Sequence, residues 1–268
     1  MKRRWFLVSI VLLATASALS AHDLFLRLDG YFLATDQAVE VLVLNGSFSA
    51  SEGAVTGDRL LDASLVSPRG RNRLPGDQWV PRGDTTYVRF TTGDAGTYVL
   101  GASTKPRDIA LSATDFNEYL AHDGIPDVLA ARERDGELDD PARELYAKHV
   151  KAVFQVGSQQ SDHYSTVLGY PAEIVAVDNP YAVPLGGELR FRCFVDGKPV
   201  ANQLVIAGGE AEGVAFEERA ARSDANGVVR FAVDRAGQWY VKFINMVKVD
   251  EPDLDYVSKW ATLTFEVR

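Results

Sequence analysis

The residues of this chain that could hold a metal or move a proton are four histidines, one cysteine and a surplus of carboxylates. The histidine with the most chemical potential is His22, inside "ASALSAHDLFL" (Ala16 to Leu26). A histidine at a mature amino terminus offers two nitrogens, the free amine and the near ring nitrogen, which close a six-membered chelate around one cation. The α-amine has a pKa of about 7.7–8.0, far below that of lysine. It deprotonates readily, as metal binding requires. A further imidazole would complete a set suited to Cu(II) or Ni(II). His163, in the polar stretch "SQQSDHYS", is the best second ligand, with Asp23 and Met246 as further candidates. His149 sits among apolar positions and reads as a packed histidine. His122, in "LAHDG", reads as an exposed residue at a helix end near its C-terminal dipole.

Whether His22 becomes a terminus depends on a leader. The chain opens Met-Lys-Arg-Arg, runs apolar from Trp5 to Leu13, and continues with small residues from Ala14 to Ala18. That is the pattern of a secretory signal, expected over residues 1–21, and the apolar run is too short to span a bilayer. Arg3-Arg4-Trp5-Phe6-Leu7 also resembles a twin-arginine signal, although Lys2 stands where Ser or Thr is usual. Small residues at −3 and −1 favour a cut after Ala18. A cut after Ser20 fits as well, and one after Ala21 places Leu19 at −3.

Other chemistry finds little support. No Gly-rich phosphate loop, nucleophile elbow, His-Glu-x-x-His helix or Cys-x-x-Cys pair is present. Cys193 alternates with Phe191 and Val195 in "RFRCFV" and is expected to be buried. A lone cysteine in an exported chain leaves no internal disulfide. Without the three leader cations, 25 basic and 37 acidic side chains remain, a net charge of −12. That balance opposes nucleic acid and anionic lipid and suits cations. No enzyme activity and no organic cofactor are expected.

The elements that must position these residues are mostly strands. "VEVLVLNG", "LLDASLVSPRG", "TTYVRFTT" and "GTYVLGAS" are β-branched and aromatic, with turn residues between them. "SATDFNEYLAHDG" starts with a capping signal at Ser112, and "IPDVLAARERDG" has Pro126 near its start and Gly136 past its end. "DDPARELYAKHVKAVFQVG" puts Leu145, His149, Ala152 and Val156 near one helical face. From Glu173 onward the β pattern returns, with "DGKP" and "DANG" as turns. The fold class is therefore mostly β: two immunoglobulin-like antiparallel β-sandwich domains with a short helical insert between them. The expected limits are 22–105 for the first sandwich, 106–156 for the helices, 157–172 for a linker and 173–268 for the second sandwich. "VRFTTGDAGTYVL" (Val88–Leu100) lines up with "VRFAVDRAGQWYV" (Val229–Val241), which reads as the same hairpin used twice, each with an inward aromatic after its glycine.

Taken together, "AHDLFL", "HDGIPDVLAARERDGE", "ARELYAKHVKAVFQVG", "LGYPAEIVAVDNPY", "RSDANGVVRFAVDRAGQWYVKFINM" and "WATLTFEV" resemble a periplasmic domain-of-unknown-function family. Its members open Ala-His-Asp-Phe-Trp-Leu, and it is often described as a periplasmic component of nickel or cobalt uptake. The resemblance covers nearly the whole mature chain. It implies a two-sandwich exported protein that handles transition metals, with a mature start at His22. Members often carry His-Met late in the chain where Asn245-Met246 stands here, which would remove one ligand. The expected function is a periplasmic protein that binds Ni(II), Co(II) or Cu(II) and delivers it to a membrane transporter. The alternative is a non-catalytic glycan- or protein-binding module, with "WVPRGD" (Trp79–Asp84) and "KVDEPDLDY" (Lys248–Tyr256) as contact loops.

Overall fold

The computed structural model describes residues 22–268, so the expected leader lies outside the described residues. Three β-sheets stack in layers. The first outer sheet orders the strands Asp23–Arg27, Ala38–Gly46, Thr85–Thr91 and Trp79–Arg82. The central sheet has eleven strands. Its spine runs Leu204–Ala211, Gly237–Glu251, Leu254–Val267, Ala142–Val156, Gly96–Thr104 and Leu60–Ser67. The second outer sheet is built on Ala172–Ala176, Glu188–Val195 and Val228–Ala232.

The fold is mostly β, as expected, with two sheet-on-sheet cores. The two sandwiches share their middle layer. Leu24, Leu26, Val41 and Trp79 pack on one face of the central sheet against Leu65, Tyr98, Val150 and Phe154. Ile174, Phe191 and Phe231 pack on its other face against Val66, Val99, Val153, Trp239 and Phe265. Residues one apart on a strand point to opposite faces, so Tyr98 and Val99 serve different cores. The strand Gly96–Thr104 is therefore buried along its whole length.

The helical reading holds for two segments and fails for a third. Helix α1 spans Ala113–His122 and α2 spans Pro126–Asp135. Gly136 ends α2 in the left-handed conformation (φ 77°), where a side chain would be strained. The Ser112 hydroxyl accepts from the Asp115 backbone N–H at 3.2 Å. Ser112→Ala is expected to cost about 1 kcal/mol, read as a lowered midpoint in urea unfolding with an unchanged slope.

Ala142–Val156 is a fifteen-residue strand, not a helix. It lies parallel to Leu254–Val267 and antiparallel to Gly96–Thr104 at the centre of the molecule. Val150, Ala152, Phe154 and Val156 face the first core. His149, Lys151, Val153 and Gln155 are buried on the other face. A strand covered on both sides has no solvent face, so the alternation that marks a strand is missing.

The stretch expected as a linker, 157–172, is also structural. It carries a short 3-10 turn, and Leu168 and Tyr170 are buried in the second core. The repeated "VRF…AG" motif is not a hairpin. Thr85–Thr91 and Val228–Ala232 each belong to an outer sheet, while Gly96–Thr104 and Gly237–Glu251 belong to the central one. Both copies carry the chain from one layer to the next. The Tyr98 hydroxyl donates to the Asp94 carbonyl (2.7 Å) and the Trp239 ring N–H to the Arg235 carbonyl (3.1 Å), each four residues back. At the crossing, a Cβ on Gly237 would stand 2.5 Å from the Glu210 carbonyl oxygen, so glycine is needed for close approach. The two halves therefore reuse one corner, whose aromatic plugs the layer it enters.

Candidate functional site

His22 precedes the strand Asp23–Arg27, an edge strand of the first outer sheet whose register pairs Asp23 with Gly46. The chain turns after Gly46 and bridges back at Ser51, returning Glu52 to the start of the edge strand; position 46 must be glycine, because a Cβ there would stand 2.5 Å from Ala50 O. His22 Nε2–H donates to Glu52 Oε2 at 2.5 Å. A neutral imidazole that donates through Nε2 carries a bare Nδ1. Nδ1 has no partner among the described residues.

The start of this edge strand is held by two lysines from the central sheet, one on backbone and one on a side chain. The Lys148 ammonium donates to the His22 carbonyl and to Asn45 Oδ1 (3.1 Å). The Lys242 ammonium donates to Asp23 Oδ2 at 2.6 Å, and Glu218 lies 3.7 Å away. Glu218 also accepts from the Tyr240 hydroxyl at 2.5 Å. Burial pushes the Lys148 ammonium down to about 8, partly offset by Asp23 and Asp123. Burial lowers Lys242 as well, but the attraction of Asp23 and Glu218 outweighs it and its pKa ends above the usual lysine value. Asp123, which caps the C-terminus of α1, is raised to about 7 by burial and by repulsion from Asp23.

The expected ligands do not converge. Asp23 is engaged by Lys242. His163 lies on a 3-10 turn with Nδ1 2.8 Å from Ser161 Oγ. Ser161 Oγ accepts from the Thr97 N–H, and Thr97 pairs with Gln155. Gln155 is seven residues along the strand from Lys148, so at about 3.3 Å per residue His163 is roughly 20 Å from His22. Met246 is 8% exposed and packs with Ile244, Tyr256 and Trp260 beneath the two helices. Asn245, at the position expected to have lost a histidine, donates to Gln203 Oε1 at 3.0 Å beside a cavity of about 240 Å³. Among the described residues, no three His, Cys, Asp or Glu side chains are grouped to hold a metal. Cys193 is fully buried, and burial raises its thiol far above the usual range. His149 is buried as expected, and His122 is the exposed last residue of α1.

Trp79, at the head of a proposed contact loop, is 5% exposed, and its ring N–H donates to the Val55 carbonyl at 2.7 Å. Tyr256, at the end of the other, is 2% exposed. What sequence reasoning missed is Glu52 and the two lysines. Glu52 reaches His22 through strand pairing within the first outer sheet, while both lysines come from the central sheet and reach His22 and Asp23 only when the two sheets stack.

This is a layered β-sheet protein in which the His22 ring is held by a carboxylate and the His22 carbonyl by a buried ammonium group. The chain belongs to a family described as a domain of unknown function (DUF4198), whose model matches residues 19–246. No curated protein matches it. Among solved structures it is similar to the D0-D1 domain of Intimin, at 12% identity over 91% of this chain and 97% of that one, with a TM-score of 0.20. It is also similar to a tetra-tandem repeat in the extending region of a large adhesion protein, at 10% identity over 92% and 50% of the two chains, with a TM-score of 0.22. The human OSCAR ligand-binding domain gives 10% identity over 90% and 97%, with a TM-score of 0.19. Among the described residues, no helix is long and apolar enough to cross a membrane.

Proposed function

We propose that this protein is an exported, non-catalytic carrier of a late first-row divalent ion, Ni(II), Co(II) or Cu(II). The leader is cut before His22, and the new amine and His22 Nδ1 take the ion. The carrier then passes it to a membrane uptake system in the periplasm. The observation that carries this reading is the Glu52 contact. By accepting from Nε2–H at 2.5 Å, the carboxylate holds the ring in the tautomer whose Nδ1 is open for a chelate with the residue's own amine. Glu52 adds negative charge beside the chelate, while the charge of Asp23 is met by Lys242. His163 and Met246 have no part in this site, and the remaining positions around the ion would be taken by water or by the receiving transporter.

The test begins with amino-terminal sequencing of the exported protein, followed by titration with each of the three ions near neutral pH. A start at His22 is expected, with binding weakened about thirtyfold or more by His22→Ala and by acetylation of the amine. Glu52→Gln is expected to have a smaller effect, because its amide oxygen still accepts from Nε2–H. A mature start at Leu19, or a wild-type protein that binds none of the ions, overturns the reading in favour of a glycan- or protein-binding module.

A further inference from the structure

Three lysines are buried among the described residues: Lys148, Lys151 and Lys242. Lys151 has Glu173 at 2.8 Å, and Lys242 has Asp23 at 2.6 Å. Lys148 has no carboxylate within salt-bridge reach among the described residues. Its partners are the neutral His22 carbonyl and the Asn45 side-chain oxygen. The faces of Trp260 and Tyr146, 5.2 and 5.5 Å away, offset part of the charge. An ammonium carries three donors, and two are used. A buried charge without a counter-ion is costly to maintain, so the surroundings of Lys148 bear on what it is for.

Lys148 forms part of the wall of a cavity of about 330 Å³, at the small end of the ~300–1,000 Å³ range of small-molecule sites. Two arginines line the same cavity, Arg59 from a 3-10 turn and Arg107 from the start of the strand Arg107–Leu111. Neither makes a side-chain hydrogen bond or ion pair with any described residue. The one acid in the lining is Asp58, whose carboxyl is held down by a hydrogen bond to Thr56 and by the charges of Lys105 and Arg59. Three cations thus face one acid, in a mature chain whose net charge is −12.

We propose that this cavity binds a small polycarboxylate anion, held by Arg59, Arg107 and Lys148. One monovalent anion would neutralise one of the three cations. A dicarboxylate balances the net charge of three cations and Asp58, a tricarboxylate offers one carboxylate to each cation, and guanidinium forks match carboxylate oxygens in pairs. The three cations come from separate segments of the chain, so the site is assembled only in the folded protein. This site is distinct from the His22 chelate and does not depend on where the leader is cut. The contact of Lys148 with the His22 carbonyl places the two sites side by side.

The experiment is a calorimetric titration of the full exported chain, freed of metal on a chelating resin, with citrate and in parallel with inorganic phosphate at low ionic strength. One citrate per chain is expected. Arg59→Gln/Arg107→Gln, at a half-buried and an exposed position, is expected to weaken citrate binding at least tenfold while leaving the circular dichroism and the unfolding midpoint unchanged. Lys148→Met is expected to weaken it as well. His22→Ala is expected to keep citrate binding, which separates this inference from the metal reading. Absence of citrate binding, equal binding by the double variant, or phosphate bound as tightly as citrate overturns it.

Discussion

Lys151→Met is expected to destabilise the protein by about 3–5 kcal/mol, the largest single-site loss among the variants considered. Lys151 and Glu173 are each 1% exposed, and their 2.8 Å contact joins the central sheet to the second outer one. Glu173 is also an acceptor for backbone: Oε1 takes the Leu168 N–H (2.6 Å) and Oε2 the Gly169 N–H (3.0 Å). Lys151 donates in addition to the Thr166 carbonyl at 2.9 Å. Burial lowers the ammonium and Glu173 pulls it back up. Removing the lysine leaves a carboxylate with no counter-charge in a closed core. Lys151→Met/Glu173→Gln is expected to be less damaging than Lys151→Met, because the stranded charge is gone. It should still fall short of wild type, since a single amide oxygen cannot serve both N–H groups. Urea unfolding of the three proteins measures this. A double variant no more stable than Lys151→Met would mean that the charge is not what is lost.

The second large effect is a pH dependence. His149 is 2% exposed, with Nδ1 2.9 Å from Ser103 Oγ and Nε2 buried without a hydrogen-bond partner among the described residues. Burial, reinforced by Lys259 and opposed by Asp196, pushes the imidazole down to about 4. Above an unfolded pKa of about 6.5, both states are neutral at this residue and its contribution is complete. As pH falls below that value the unfolded chain takes up the proton first, so stability is lost down to about pH 4 and levels off beneath it. At about 1.36 kcal/mol per unit, the total is about 3 kcal/mol. Asp123, raised to about 7, works in the opposite direction, because its folded form gains protons first as pH falls. The His149 contribution is therefore read as a difference: His149→Gln is expected to lose less stability than wild type between pH 7.5 and 4.5. Parallel profiles for the two proteins would refute it.

Much of the fold can be read along the chain because strands exposed on one face advertise themselves. Val39, Val41 and Val43 alternate with more exposed neighbours, as do Leu189, Phe191 and Cys193. The helix ends were legible for local reasons, since Ser112 and Gly136 act within one turn of themselves. Ala142–Val156 was illegible for the opposite reason. Lys148, Lys151 and Gln155 look like surface residues, yet each is buried and partnered from a distant part of the chain. The "VRF…AG" repeat was visible, but whether its second strand returns to the same sheet or enters the next is decided by packing alone.

The same division runs through the site. His22 and the chemistry of an amino-terminal imidazole follow from residue type and position, as do the charge balance and the absence of known catalytic motifs. The Glu52 contact, the Lys148 ammonium without a counter-ion and the cavity lined by Arg59 and Arg107 exist only once the first outer sheet has paired its strands and docked on the central one. Each depends on contacts between residues 30 to 126 positions apart, whose meeting is set by the burial of two apolar cores and by no local pattern. The tertiary structure also parted His163 and Met246 from His22. Their types suit a metal, but His163 sits on a 3-10 turn beside Ser161 and Met246 is packed beneath the helices, both away from His22.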